Sequence, residues 1–140
     1  MHLNRTIATL LTSLAMLMTG TSQAGLREEQ LAQYASAAKA EAPGFAGFSS
    51  ERGKLLHTQR FAGGKPDTPA CTTCHGKDPR GAGQTPTGKT IDAMAASANP
   101  ARYADPAKVE KWFKRNCTEV LGRVCKPQEK GDWLTFMLGQ

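Results

Sequence analysis

Two cysteines separated by two residues, Cys71 and Cys74, are followed directly by His75. In a segment that turns helically, each thiol of such a pair adds across one vinyl group of a haem. The histidine then falls under the iron and offers an imidazole nitrogen. A thioredoxin-like redox pair uses the same gap but needs a βαβ setting, which the surrounding chain lacks. A four-cysteine zinc site would need Cys117 and Cys125 as its second pair, and their spacing is too wide for a knuckle. The motif therefore points to one covalent haem c on Cys71 and Cys74, with His75 as an iron ligand. Pro86, in the loop that follows, stands where a backbone carbonyl would receive the His75 Nδ1–H and fix the ring. Its plainer role is to shape a glycine-rich turn.

The ligand on the other side of the iron decides whether such a haem is closed or open. A methionine there gives an electron carrier, and Met94 lies at a suitable distance after the motif. Met137, beside Trp133 and Phe136, reads as core packing. His57, at the end of a short helix, reads as a surface or packing residue rather than a ligand. A further candidate stands in the stretch after Pro106, where Val109, Trp112, Phe113, Asn116 and Val120 share one helical face. Asn116 is thus an amide inside an apolar stripe. Burying it without a partner would cost roughly 1–3 kcal/mol. A hydrogen bond to backbone near the helix end would satisfy it, and periodicity alone leaves its role open.

Cys117 and Cys125 raise a geometric question. Eight residues along one straight helix separate Cα atoms by about 12 Å, whereas a disulfide needs roughly 4.4–6.8 Å. A bridge requires the chain to turn back, and Gly122 offers the place. Closing so short a loop would stabilise the fold by about 2–3 kcal/mol on the chain-entropy model. Two free thiols are the alternative.

The elements that must position these residues read as helices. Leu26 to Ala42 is rich in Ala, Glu and Gln and ends at Pro43-Gly44; Ser49 or Ser50 caps a second helix through Leu55 and Leu56. Gly63 to Pro69 is a loop, and Gly76 to Gly88 is irregular. A short helix is expected over Ile91 to Ala96, broken by Asn99-Pro100. Asp105-Pro106 starts a helix that runs to about Leu121, with Gly122 as its left-handed terminator. The last helix spans Gln128 to Leu138. No repeat or strand alternation is visible, so the class is all-α.

Residues 1–24 have the form of a cleaved export signal: Arg5, an apolar run from Ile7 to Met18, and the small-x-small site Ser22-Gln23-Ala24. The run is too short to span a membrane as a helix. Residues 25–140 then form one periplasmic domain, without stable membrane insertion. The full chain carries a net charge of +6 at neutral pH, which suits an acidic partner. Export and the lack of any nucleic-acid motif argue against a nucleic-acid partner.

The stretch DPAKVEKWFKRNCTEVLGRVCKPQEKGD, Asp105 to Asp132, resembles the small high-spin cytochromes c of the sphaeroides haem protein (SHP) type. The likeness extends back through CTTCHGKDPRGAGQTPTGKTIDAMAASANPARY and more loosely to about Phe45. Its most specific element is Arg115-Asn116-Cys117 together with Cys125. The resemblance implies a small class I-like, all-α cytochrome c fold around one haem. It also implies Asn116 as the sixth iron ligand and a Cys117–Cys125 disulfide. The related cytochrome c″ type has a distal histidine, which is excluded here because no histidine follows His75.

An amide oxygen is a hard, weak ligand, better suited to ferric than to ferrous iron. The expected function is therefore electron transfer with redox-linked release of Asn116, so that O2, NO or CO binds the reduced haem. By family resemblance the electron donor is a dihaem cytochrome c or a membrane cytochrome b. Lys108, Lys111, Lys114 and Arg115 are a candidate docking face, although a charged helix side is usually just solvated. Two other readings stand beside this one. The first is a plain His/Met shuttle through Met94. The second is a haem enzyme acting on peroxide or nitric oxide, disfavoured by the lack of a distal His–Arg pair.

Overall fold

Asp105 and Gly122 delimit the helix that carries most of the candidate chemistry, α4 (Pro106–Leu121). The Asp105 carboxylate accepts from the Lys108 N–H, Pro106 occupies the first turn, and Gly122 closes the helix at φ +73°. Its buried residues Val109, Phe113, Cys117, Val120 and Leu121 form one stripe. This computed structural model describes residues 22–140. The apolar run Ile7 to Met18 lies outside the described residues, and the expected cut after Ala24 falls in the first turn of α1 (Gln23–Glu41).

The remaining elements are α2 (Ser50–Thr58), α3 (Thr72–His75), the short strands β1 (Gly83–Gln84) and β2 (Thr90–Ile91), and α5 (Pro127–Leu138). Ser49 caps α2 by accepting from the Arg52 N–H at 3.2 Å. On α5, the Glu129 side chain reaches back to the Lys126 N–H at 2.8 Å.

Both α1 and α2 pack on α5. Leu134 and Met137 of α5 are fully buried, and Trp133 of the same helix joins an edge-to-face series of rings. Phe113 meets Trp133 at 5.4 Å between centroids, Tyr34 meets Phe113 at 6.2 Å, and Tyr103 meets Trp133 at 6.3 Å. Arg52 clamps α2 to α5 through the buried Asp132 carboxylate, at 2.7 and 2.8 Å.

The architecture is all-α, with one departure. The helix expected over Ile91 to Ala96 is not formed. Thr90 and Ile91 instead pair antiparallel with Gln84 and Gly83, and residues 95–98 form a turn. The local reason is the turn between the strands, where the Thr85 N–H donates to the Lys89 carbonyl and Thr85 Oγ1 accepts from the Lys89 N–H. That turn draws Thr90 into a ladder before a helix can nucleate.

Candidate functional site

A cavity of about 340 Å³ has Cys71, Cys74 and His75 in its wall together with Val109, Trp112, Phe113 and Asn116 of α4. The α3 turn and the α4 stripe thus face one space. Residues 69 to 76 reach it through a tight turn: the His75 N–H donates to the Cys71 carbonyl at 3.0 Å, and the Gly76 N–H to the Thr72 carbonyl at 3.1 Å. The hairpin supports the turn from below, with Gly83 so close to the Cys74 carbonyl that a side chain there would overlap it.

The imidazole of His75 makes no hydrogen bond to the described residues, and its Nδ1 is fully buried. Burial, with the charges of Arg102 and His57 adding to it, lowers its pKa to about 4. The ring is neutral at physiological pH and holds a free lone pair. Pro86 does not serve it: that residue is exposed in the hairpin turn, and no backbone carbonyl among the described residues accepts from His75 Nδ1.

Burial pushes the Cys71 thiol up to about 11 and raises that of Cys74. A nucleophilic redox dithiol needs the opposite shift. Cys117 and Cys125 are joined in a disulfide with Cα atoms 5.6 Å apart, so they offer no thiolates to a metal. A paired thiol motif, an unpartnered neutral imidazole and an apolar cavity fit a covalently attached haem. Cys71, Cys74 and His75 are the residues placed to hold it.

Asn116 faces this cavity. It is half-buried, and its amide makes no side-chain hydrogen bond to the described residues. The backbone bond near the helix end, the plainer expectation for that amide, is not formed. Trp112 shares the cavity wall with Val109, Phe113, Asn116 and Val120, the face expected from periodicity, but is the most open of its apolar members at 44% exposed. The guanidinium of Arg115 lies over the Trp112 ring at 5.4 Å and bonds Glu119 at 3.3 Å. Lys108, Lys111 and Lys114 remain exposed on the same helix.

Met94 is buried but is not part of the cavity wall; its backbone carbonyl accepts the Tyr103 hydroxyl at 2.6 Å. Met137 belongs to the core. His57 is fully buried and accounts for both ring nitrogens: Trp133 Nε1 donates to Nδ1, and Nε2 donates to the Gly76 carbonyl at 3.1 Å. Its place beside the motif was invisible in sequence, because both its partners are distant along the chain. Arg102, which lines the cavity rim and donates to the Asp92 carbonyl, had no sequence signal.

Residues 43–137 match the family model described as a domain of unknown function, DUF1924. The chain is 51% identical to the cytochrome c-type protein SHP of Cereibacter sphaeroides, over 79% of this chain and 81% of that protein. It is 30% identical to cytochrome c″ of Methylophilus methylotrophus, over 79% and 78%. The structure superimposes on oxidised SHP, an oxygen-binding cytochrome c, with a TM-score of 0.75 and 48% identity, covering 81% of this chain and 96% of that one. A solution structure of the Methylophilus cytochrome c″, described in connection with haem-ligand detachment, matches with a TM-score of 0.71 and 30% identity, covering 81% and 93%. No helix among the described residues is long and apolar enough to cross a membrane. With its paired thiols and free imidazole at one apolar cavity, the chain belongs to the SHP and cytochrome c″ family of c-type cytochromes, which carry covalently bound haem c.

Proposed function

We propose that this protein is an exported electron-transfer cytochrome in which Asn116 acts as a redox-gated iron ligand. In this reading Cys71 and Cys74 hold the haem through thioethers, while His75 and Asn116 ligate the iron. The haem supplies one-electron chemistry and a coordination site. The chain supplies the gate. The observation that carries the reading is the Asn116 amide, facing the same cavity as His75 with no side-chain hydrogen-bond partner among the described residues. An amide in that position is matched to a hard ferric centre and poorly to a ferrous one. With haem bound, Asn116 would release the iron on reduction and leave its site to O2, NO or CO. The released amide N–H stays nearby as a donor for the incoming diatomic. The relation to an oxygen-binding cytochrome c and to one studied for ligand detachment supports this order of events.

Electrons come from a dihaem cytochrome c or a membrane cytochrome b with an acidic face. Lys108, Lys111 and Lys114 form the docking charge beside Trp112. Arg115 is already engaged by Trp112 and Glu119, so it contributes less. The leader, cleaved after Ala24, delivers the domain of residues 25–140 to the periplasm. Mass spectrometry of periplasmic material gives a chain starting at Gly25 plus one haem.

The decisive experiment replaces Asn116 with alanine. Asn116→Ala opens the sixth site to water, changes the ferric spectrum and makes azide bind more readily, because no internal ligand competes. A ferric spectrum identical to that of the parent would remove Asn116 from the iron.

A further inference from the structure

The loop before the haem motif crosses the end of α4 backbone on backbone. Gly63 and Gly64 lie against the carbonyls of Glu119, Val120 and Leu121. A Cβ on Gly64 would overlap the Glu119 and Val120 oxygens, and one on Gly63 would sit 2.6 Å from the Leu121 oxygen. The contact is reciprocal, since a Cβ on Gly122 would overlap the Gly63 carbonyl. Separations this short are below any real Cβ contact, so only glycine fits at these points. The Lys65 N–H donates to the Glu119 carbonyl at 2.7 Å, and the Lys65 ammonium reaches the Glu119 carboxylate at 3.3 Å.

Both ends of this crossing lead to the site. On one side, the Phe61 N–H donates to the Pro69 carbonyl at 2.7 Å and closes the loop two residues before Cys71. On the other, Glu119 lies one helical turn beyond Asn116. The crossing therefore ties the segment carrying Cys71, Cys74 and His75 to the helix carrying Asn116, without passing through the disulfide.

We propose that the Gly63–Gly64 crossing on Glu119–Gly122 is a positioning device that sets how closely Asn116 approaches the iron. This rests on the reading of Asn116 as a ligand. The glycines allow the two segments to meet at backbone distance; any side chain would push the last turns of α4, and Asn116 with them, away from the motif. They touch neither haem nor ligand and act only through Asn116.

The test uses the haem-loaded protein with the disulfide intact. Gly64→Ala shifts the ferric spectrum toward that of Asn116→Ala and tightens azide binding about tenfold, which is 1.4 kcal/mol. Gly63→Ala, with a single overlap, gives a smaller shift in the same direction and serves if Gly64→Ala does not fold. Gly44→Ala, at a glycine with nothing within 4 Å, leaves spectrum and azide affinity unchanged. In an Asn116→Ala background, Gly64→Ala or Gly63→Ala has no further effect on azide. An equal effect in both backgrounds would overturn the proposal, because the change would not run through Asn116. Parent-like spectra and azide affinity in both folded glycine variants would overturn it as well, while leaving Asn116 as ligand if Asn116→Ala alters the spectrum. An unaltered spectrum in Asn116→Ala would sink both readings together.

Discussion

Trp133 directs its indole N–H at Nδ1 of His57, 3.4 Å away, and this fixes the imidazole in the tautomer whose Nε2–H donates to the Gly76 carbonyl at 3.1 Å. The relay joins α5 to α2, and α2 to the residue immediately after His75. Burial lowers the His57 pKa, so the ring stays neutral and keeps both roles. His57→Phe would leave the indole N–H and the Gly76 carbonyl without partners and destabilise the protein by about 1–3 kcal/mol. Trp133→Phe loses the donor and some packing but leaves the Gly76 bond in place. Denaturant unfolding of the two variants checks this; a His57→Phe midpoint equal to the parent's would show that the relay carries no weight.

The second clamp between α2 and α5 is ionic. Asp132 has a side chain 6% exposed and accepts from Arg52 and from the Ser49 N–H. Arg52 is half exposed, so the pair is partly screened by solvent. Asp132→Ala leaves the Ser49 N–H unpaired and the guanidinium with only the Gly47 carbonyl, at a cost of roughly 1–3 kcal/mol. Arg52→Ala costs less, because the carboxylate keeps its Ser49 bond. Equal losses from the two substitutions would mean that the backbone bond contributes nothing.

Cys117 and Cys125 bracket the turn that ends α4. Unfolding the holoprotein without reductant, in the presence of an alkylating reagent, leaves all four cysteines unlabelled: two are held in thioethers and two in the disulfide. Label on Cys117 or Cys125 would show the bridge absent. Reducing it lowers stability by about 2–3 kcal/mol on the chain-entropy model and speeds azide entry by loosening Asn116.

Met94 is the rival ligand, and its position gives a clean control. It lies outside the cavity wall with its carbonyl tied to Tyr103. Met94→Leu leaves the ferric spectrum unchanged and alters stability by less than about 1.5 kcal/mol, as volume-conserving core exchanges do. Asn116→His, by contrast, drives the haem toward low spin and suppresses CO binding after reduction. Loss of the parental spectrum in Met94→Leu, with Asn116→Ala silent, would hand the function to a His/Met electron shuttle.

Chemistry written in contiguous residues was readable from the chain alone. The haem motif is a local pattern of five residues. The limits of α4 are local too, because Asp105, Pro106 and Gly122 act on backbone groups within one turn. The stripe of Val109, Phe113 and Val120 follows from helical periodicity, and the family likeness in the Asp105–Asp132 stretch rests on the same contiguous residues.

What the chain alone left open depends on partners distant in sequence. Periodicity placed Trp112 on one face with Val109, Phe113, Asn116 and Val120, but not what that face meets, because the opposite wall of the cavity comes from α3 and distant loops. The hairpin at Thr90 and Ile91 outcompeted a helix because Thr85 and Lys89 close a turn whose bonds no hydrophobic pattern encodes. His57 read as either a surface or a packing residue because its partners, Gly76 and Trp133, lie 19 and 76 residues away. Gly63 and Gly64 read as an ordinary loop, since a glycine pair signals backbone freedom and is silent about what approaches it. Only the folded chain brings the end of α4 there, where the absence of two side chains becomes a contact.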